Sequence, residues 1–129
     1  MIGSVTPHEI AVWARLSGPF SFQLIYASNP DLKQAQKTEP VRAQKEQDYV
    51  VLARMTGLKP GSRIYYRVFV QGCPDKYLAA LPPFSCRTAP GGPARFRIAY
   101  GSCPRFREDP VQPMWDAVAL WNPDLFFWL

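Results

Sequence analysis

The 129-residue sequence has few of the residues from which metal and catalytic centres are built, with one histidine, His8, and three cysteines. No apolar run approaches the ~20 residues of a membrane-spanning helix, so we expect no membrane span. No basic segment followed by an apolar stretch opens the chain, and we identify no signal peptide in it. His8 follows Thr6-Pro7 in a predicted turn, where we expect it to be exposed and without a function.

Charge of one sign is not concentrated in any segment. The chain carries 15 basic and 10 acidic residues, a net charge of +5, and the basic residues are spread singly. We find no stripe of cations with interleaved aromatics, so the sequence predicts no nucleic-acid binding. A charged surface that keeps the protein in solution is the simplest interpretation.

An odd number of cysteines leaves at least one unpaired within the chain. Cys73 and Cys86 flank a predicted connection between neighbouring strands. They form a disulfide in one interpretation, which requires an oxidising compartment, and are two buried thiols in the other.

Residues 1–89 predict an all-β domain, because proline and glycine recur between runs that alternate with period two. Several short strands with one apolar face each indicate a β-sandwich of the fibronectin type III or immunoglobulin kind. The polar segment from Gln34 to Gln47 fits a solvated edge strand with its loops. The apolar faces are Ile10, Val12, Ala14 and Leu16, then Phe20, Phe22, Leu24 and Tyr26, then Ile64, Tyr66, Val68 and Val70.

The segment from Thr56 to Val68 resembles the turn between the fifth and sixth strands of fibronectin type III-like domains. It has leucine, then Pro60-Gly61, a hydroxyl residue and a strand that opens on bulky side chains. Such domains often carry a tyrosine whose hydroxyl bonds back to this turn. Ile64 occupies that position here. This departure argues against the tyrosine hydrogen bond but not against the sandwich.

Residues 90–95 read as a linker rich in proline and glycine, and residues 96–129 as a strand, a short helix and a second strand. Such a unit opens a parallel α/β domain, whose strands are normally covered on both faces by later elements. We therefore expect the chain to be the first part of a larger protein. Ligands in such sheets bind at the carboxyl ends of the strands, where Gly101, Ser102 and Cys103 lie. A small buried side chain is the simpler interpretation of Cys103 from the residues alone.

Three segments together resemble the amino-terminal part of the PhoD-type alkaline phosphatase/phosphodiesterase family. They are residues 1–15, the strand 96–103 that ends at Cys103, and Trp115 followed by residues 122–129. The resemblance implies a metallophosphatase that hydrolyses phosphate esters with iron and calcium and is secreted or periplasmic. It also implies that Cys103 ligates iron and that a glycine–aspartate metal ligand follows Leu129.

The resemblance places most ligands in the remainder of the catalytic domain, the expected partner of this chain, so we expect the chain alone to be inactive. Arg105 could reach a phosphate, since a guanidinium group can donate two parallel hydrogen bonds to one anion. Residues 107–109 could border the site or form an ordinary solvated loop.

Two alternatives are also compatible with the residues. The chain could be a non-enzymatic fibronectin-like interaction module with a short α/β appendage. It could also belong to a purple-acid-type phosphatase, although such enzymes place an aspartate near the end of the first strand, where this chain has residues 101–103.

Overall fold

The computed structural model describes residues 1–72, 80–103, 108 and 110–129. The chain divides into two compact units, Met1–Gly92 and Pro93–Leu129. The residue bounds predicted from the sequence, 1–89 for the β-domain, 90–95 for the linker and 96–129 for the strand–helix–strand unit, remain predictions. No helix within the described residues is long and apolar enough to cross a membrane.

The first unit is a β-sandwich of two antiparallel sheets, as the sequence predicted. One sheet has the order β1-β2-β6, and the other has the order β4-β3-β7-β8, with β5 also paired to β3. This arrangement is fibronectin type III-like. The strands are β1 (Ile2–Val5), β2 (Ile10–Arg15), β3 (Ser21–Ala27), β4 (Gln36–Lys37), β5 (Val41–Arg42), β6 (Val50–Met55), β7 (Arg63–Gln71) and β8 (Phe84–Arg87).

The core lies between the two sheets because every second residue of each strand points inward. In β3, Phe22, Leu24 and Tyr26 are buried while their neighbours are half-exposed. The facing sheet contributes Ile10, Val12, Val51, Ala53 and Met55. Each large apolar side chain buried in this way stabilises the fold by about 1.5–3 kcal/mol.

The polar segment from Gln34 to Gln47 forms the predicted edge. It contains β4, β5 and a short 3₁₀ helix, Lys45–Gln47. Two of its residues nevertheless belong to the interior, since Thr38 is 8% and Ala43 is 1% exposed. The Thr38 hydroxyl accepts the Leu24 amide at 3.0 Å, which fastens this edge to β3.

A threonine hydroxyl secures the turn between β6 and β7. The hydroxyl of Thr88, 2% exposed, donates to the Lys59 carbonyl at 2.6 Å and accepts the Ser62 amide at 2.9 Å. Ile64, at the position of the usual tyrosine, is buried in the core. A buried hydroxyl on β8's extension thus satisfies the polar groups of a tight turn.

The second unit consists of β9 (Ile98–Gly101), α1 (Met114–Trp121) and β10 (Leu125–Trp128). The strands pair in parallel, with Leu125 opposite Ile98 and Trp128 opposite Gly101. The first strand begins two residues later than we predicted from Phe96. Asn122 ends α1 in the left-handed conformation, with φ of 51°, directly before Pro123.

The two faces of this small sheet differ in how they are covered. On one face, Trp115 of α1 stacks on Trp128 with ring centroids 5.6 Å apart, and it also contacts Phe126. The opposite face carries four apolar side chains that are 40–74% exposed. They are Ile98, Tyr100, Leu125 and Phe127, which we call the open apolar face.

Candidate functional site

The carboxyl ends of β9 and β10 lie side by side. Trp128 is opposite Gly101, and the Leu129 amide donates to the Gly101 carbonyl at 2.9 Å. In parallel sheets this edge is where ligands bind, because the chain leaves each strand there through a loop. Cys103 lies two residues beyond the end of β9. The sequence-predicted position of Cys103 at this edge is therefore the position that the structure shows.

Cys103 is exposed, so its interpretation as a small buried side chain is wrong. Its φ of 53° lies in the left-handed region, which non-glycine residues seldom adopt. The tight exit from the strand thus occurs at Cys103, and Gly101 remains within the strand.

The described residues provide one candidate ligand at this edge. Arg105, Arg107 and Asp109 lie outside the described residues, and Glu108 is exposed. Within the part of the chain that the structure describes, no three His, Cys, Asp or Glu side chains are grouped so that they could hold a metal. Iron and calcium sites both need several ligands, so these residues by themselves fit neither metal.

Asp124 lies at the opposite edge of the sheet, before β10, and holds the strand ends together. Its carboxylate accepts the Arg97 amide at 2.9 Å. The Arg97 guanidinium donates to the Trp121 carbonyl at 2.9 Å and lies 6.0 Å from the centre of that indole ring. Asp124 is therefore a structural residue in this unit, remote from the edge that bears Cys103.

Cys86 is a packing residue of the sandwich. It is half-buried, and burial raises the pKa of its thiol from the ordinary 9.0 to about 11. A thiol with a raised pKa is a poor nucleophile and a poor metal ligand near neutral pH. Cys73 lies outside the described residues, so the pairing of Cys73 with Cys86 stays a prediction.

His8 is exposed, as predicted, yet it has a structural role that the sequence did not show. Its Nδ1 lies 3.0 Å from the Leu58 carbonyl oxygen, to which it donates. The Leu58 amide donates in return to the His8 carbonyl at 3.1 Å. The partner lies 50 residues away along the chain, so local sequence carries no signal for this contact.

Residues 1–90 match the family model described as PhoD-like phosphatase, N-terminal domain. The chain belongs to the PhoD-like phosphatase family. The match covers the whole sandwich, including the turn that Thr88 secures. It ends before β9, so the family assignment rests on the first unit.

A solved structure of PhoD is similar to nearly the whole PhoD-like chain. The superposition has a TM-score of 0.73 and 20% sequence identity, and it covers 99% of this chain and 26% of that one. The chain thus spans about a quarter of the PhoD structure, and the likeness shows the shared fold of both units. The sensor domain of the anti-sigma factor RsgI4 of Pseudobacteroides cellulosolvens is also similar, with a TM-score of 0.48, 12% identity, and coverage of 70% of this chain and 71% of that one. No curated protein sequence matches the chain.

Proposed function

We propose that this chain is the amino-terminal part of a metal-dependent PhoD-like phosphatase that hydrolyses phosphate mono- or diesters. The observation that carries the proposal is the parallel pairing of β9 and β10, with Cys103 exposed at its carboxyl edge. This pair follows a sandwich that matches the PhoD-like N-terminal domain. In this proposal the sandwich precedes the catalytic domain, whose first strand is β9.

Cys103 is one ligand of the iron in the complete site. Support comes from the exposure of the thiol and from its position two residues beyond the end of β9. A thiolate is a suitable soft ligand for iron, and other side chains must complete the coordination. Calcium, the second metal of the proposal, takes several oxygen ligands, which the remainder of the catalytic domain provides. Arg105 is proposed as a contact to the substrate phosphate.

The chain by itself is inactive in this proposal, since a single ligand holds no catalytic metal. The open apolar face supports a need for further elements, because parallel sheets are normally covered on both sides. The partner of that face is the remainder of the same catalytic domain. Secreted or periplasmic localisation is part of the proposal and rests on the family alone.

The proposal is tested on a longer protein that contains this chain and the rest of the catalytic domain. Iron content and hydrolysis of generic phosphate mono- and diesters are measured for the unaltered protein, for Cys103→Ser and for Cys86→Ser. We expect Cys103→Ser to lose iron and activity together, and Cys86→Ser, the control for removing a thiol, to keep both. The 129-residue chain alone is expected to show neither.

Retention of full iron content and rate by Cys103→Ser would exclude this thiol as a ligand. Absence of hydrolysis in the unaltered longer protein, with metals supplied, would favour the alternative of a non-enzymatic interaction module. That alternative is compatible with the sandwich, whose described residues in Met1–Gly92 contain no group of metal-ligating side chains.

A further inference from the structure

The outward face of the larger sheet collects basic and aromatic residues. Along β7, Arg63, Tyr65, Arg67 and Phe69 point outward, alternating with the core residues of that strand. Phe69 is 50% exposed. A cation and an aromatic ring thus follow each other at every second residue of a central strand.

The neighbouring strands add cations to the same face, since residues paired across a sheet point the same way. Arg87 of β8 is opposite Arg63, and both are exposed. Lys37 of β4 is opposite Ile25, which is itself opposite Arg67. Arg42 of β5 is opposite Ser21. We call the set Arg63, Arg87, Arg67, Lys37 and Arg42, with Tyr65 and Phe69, the cationic face.

The cationic face runs diagonally across the sheet. Arg63 and Arg87 lie at one end, Arg67 and Lys37 share a row in the middle, and Arg42 lies in the row of Gln71 at the other end. At about 3.4 Å per residue, the eight steps from Arg63 to Gln71 make a band about 27 Å long.

The ion pairs among the described residues do not include four cations of this face. They are Arg63, Arg87, Lys37 and Arg42. The opposite sheet differs, because there Arg15 pairs with Asp48 and Arg54 pairs with Glu9. The paired strand positions of the cationic face bear no carboxylate, and Glu39, between β4 and β5, adds one at the edge.

We propose that the cationic face binds single-stranded nucleic acid, with the basic side chains on phosphates and with Tyr65 and Phe69 against bases. A polyanion matches the cluster of cations, and an extended strand matches the length of the band. The interleaved rings favour a nucleic acid over a polyanion without bases, because each ring offers a stacking surface. A sheet face with central aromatics resembles the surfaces on which single strands lie, whereas duplex recognition uses an element that enters a groove.

This inference is independent of the proposed phosphatase function, since every residue of the cationic face lies in the sandwich. It differs from the sequence analysis, which predicted no nucleic-acid binding. That prediction counted cations along the chain, where Lys37 and Arg87 are 50 positions apart. The sheet register brings them to one surface.

The experiment measures binding of the full 129-residue chain to a fluorescent single-stranded oligothymidylate by anisotropy, at several salt concentrations. Log affinity is expected to fall with log salt by about 0.7 for each phosphate contacted. The variant Arg63→Gln/Arg87→Gln is expected to bind about tenfold or more weakly and to lower that slope by about 1.4. The control Arg15→Gln/Arg54→Gln removes the same charge from the opposite sheet and is expected to change affinity by less than about twofold.

A second variant separates nucleic acid from other polyanions. Phe69→Leu keeps an apolar side chain but removes the ring, and we expect at least about fivefold weaker binding of the oligonucleotide. Inorganic polyphosphate and vesicles of anionic phospholipid serve as competitors, and both are expected to compete poorly. Far-ultraviolet circular dichroism verifies that each variant remains folded.

Three results would overturn the proposal. The first is no binding of the oligonucleotide at low salt. The second is an equal loss in the control Arg15→Gln/Arg54→Gln, which would attribute binding to net charge. The third is an unchanged affinity of Phe69→Leu together with equal competition by polyphosphate or vesicles, which would assign the face to another anionic partner.

Discussion

His8 and Leu58 are joined by two reciprocal hydrogen bonds, one from the imidazole Nδ1 at 3.0 Å and one between the main chains at 3.1 Å. The pair connects the turn after β1 to the turn after β6, which lie at the same end of the sandwich. Its imidazole bond is the one that a substitution can remove without touching the backbone.

We expect His8→Ala to lower the free energy of unfolding by about 1 kcal/mol, the usual net value of one hydrogen bond. His8→Asn places an amide donor near the position of Nδ1 and is expected to recover part of the loss. Urea denaturation followed by circular dichroism measures both. Equal stability of His8→Ala and the unaltered chain would show that the imidazole bond contributes nothing.

The hydroxyl of Thr88 is expected to matter more, because it is buried and serves two backbone groups of one turn. Thr88→Val leaves the Ser62 amide and the Lys59 carbonyl without this partner, which we expect to cost about 2 kcal/mol. Thr88→Ser keeps the hydroxyl and loses one methyl group, which we expect to lower the free energy of unfolding by about 1 kcal/mol or less. A Val variant as stable as the Ser variant would contradict the role of the hydroxyl.

The sandwich is expected to lose stability in alkali because of Cys86. Burial raises the pKa of this thiol from 9.0 to about 11 in the folded protein, so the folded state holds the proton more tightly than the unfolded state. The resulting stabilisation is fully present below pH 9.0 and is lost as the pH rises towards 11. The pKa of Tyr66, raised by burial from 10.0 to about 12, extends the loss to higher pH.

Denaturation midpoints measured across this range for Cys86→Ala should be less dependent on pH between 9 and 10 than those of the unaltered chain. Cys103→Ala removes an exposed thiol and is the matched control. We expect its denaturation midpoints to depend on pH as those of the unaltered chain do. Identical pH profiles of the unaltered chain and Cys86→Ala would show that this thiol does not titrate with a raised pKa.

The two described thiols should differ in reactivity. In the reduced, native chain we expect iodoacetamide to modify Cys103 first, because its thiol is exposed. Cys86, half-buried with a raised pKa, should react comparably only after unfolding. Peptide mass mapping distinguishes the sites, and the same map without reductant determines whether Cys73 and Cys86 pair. Faster modification of Cys86 than of Cys103 would contradict the burial that the structure shows.

The open apolar face should cause self-association of the isolated chain, because four apolar side chains face water on one side of a small sheet. Phe127→Lys is expected to shift the sedimentation distribution towards the monomer. Leu52→Lys, at an exposed apolar position of the sandwich, is the control and should leave the distribution unchanged. If the control reduces association as much as Phe127→Lys does, the open apolar face is not its cause.

Much of the fold could be predicted because it depends on local patterns. Alternation in β3 and β7 identified the inward face of each strand, and the run before Pro123 identified α1. The edge between Gln34 and Gln47 was predicted from its polarity, but burial of Thr38 was not. That burial depends on the Leu24 amide of another strand, a partner that the neighbouring sequence does not specify.

The place of Cys103 just beyond β9 could be predicted, but its exposure and backbone conformation could not. The position of Cys103 follows from where a strand ends, which proline, glycine and apolar runs indicate locally. Its exposure and left-handed backbone depend on how the chain leaves the sheet, which the residue type does not determine.

The sequence by itself therefore determined the two kinds of secondary structure, the inward faces of the strands and the strand end that carries Cys103. These follow from side-chain periodicity and backbone preference, which act over a few residues. Only the tertiary structure decided that Thr88 secures a turn, that His8 binds Leu58, and that cations far apart in the chain form one face. Such pairings depend on strand register, which is set by burying the whole core at once.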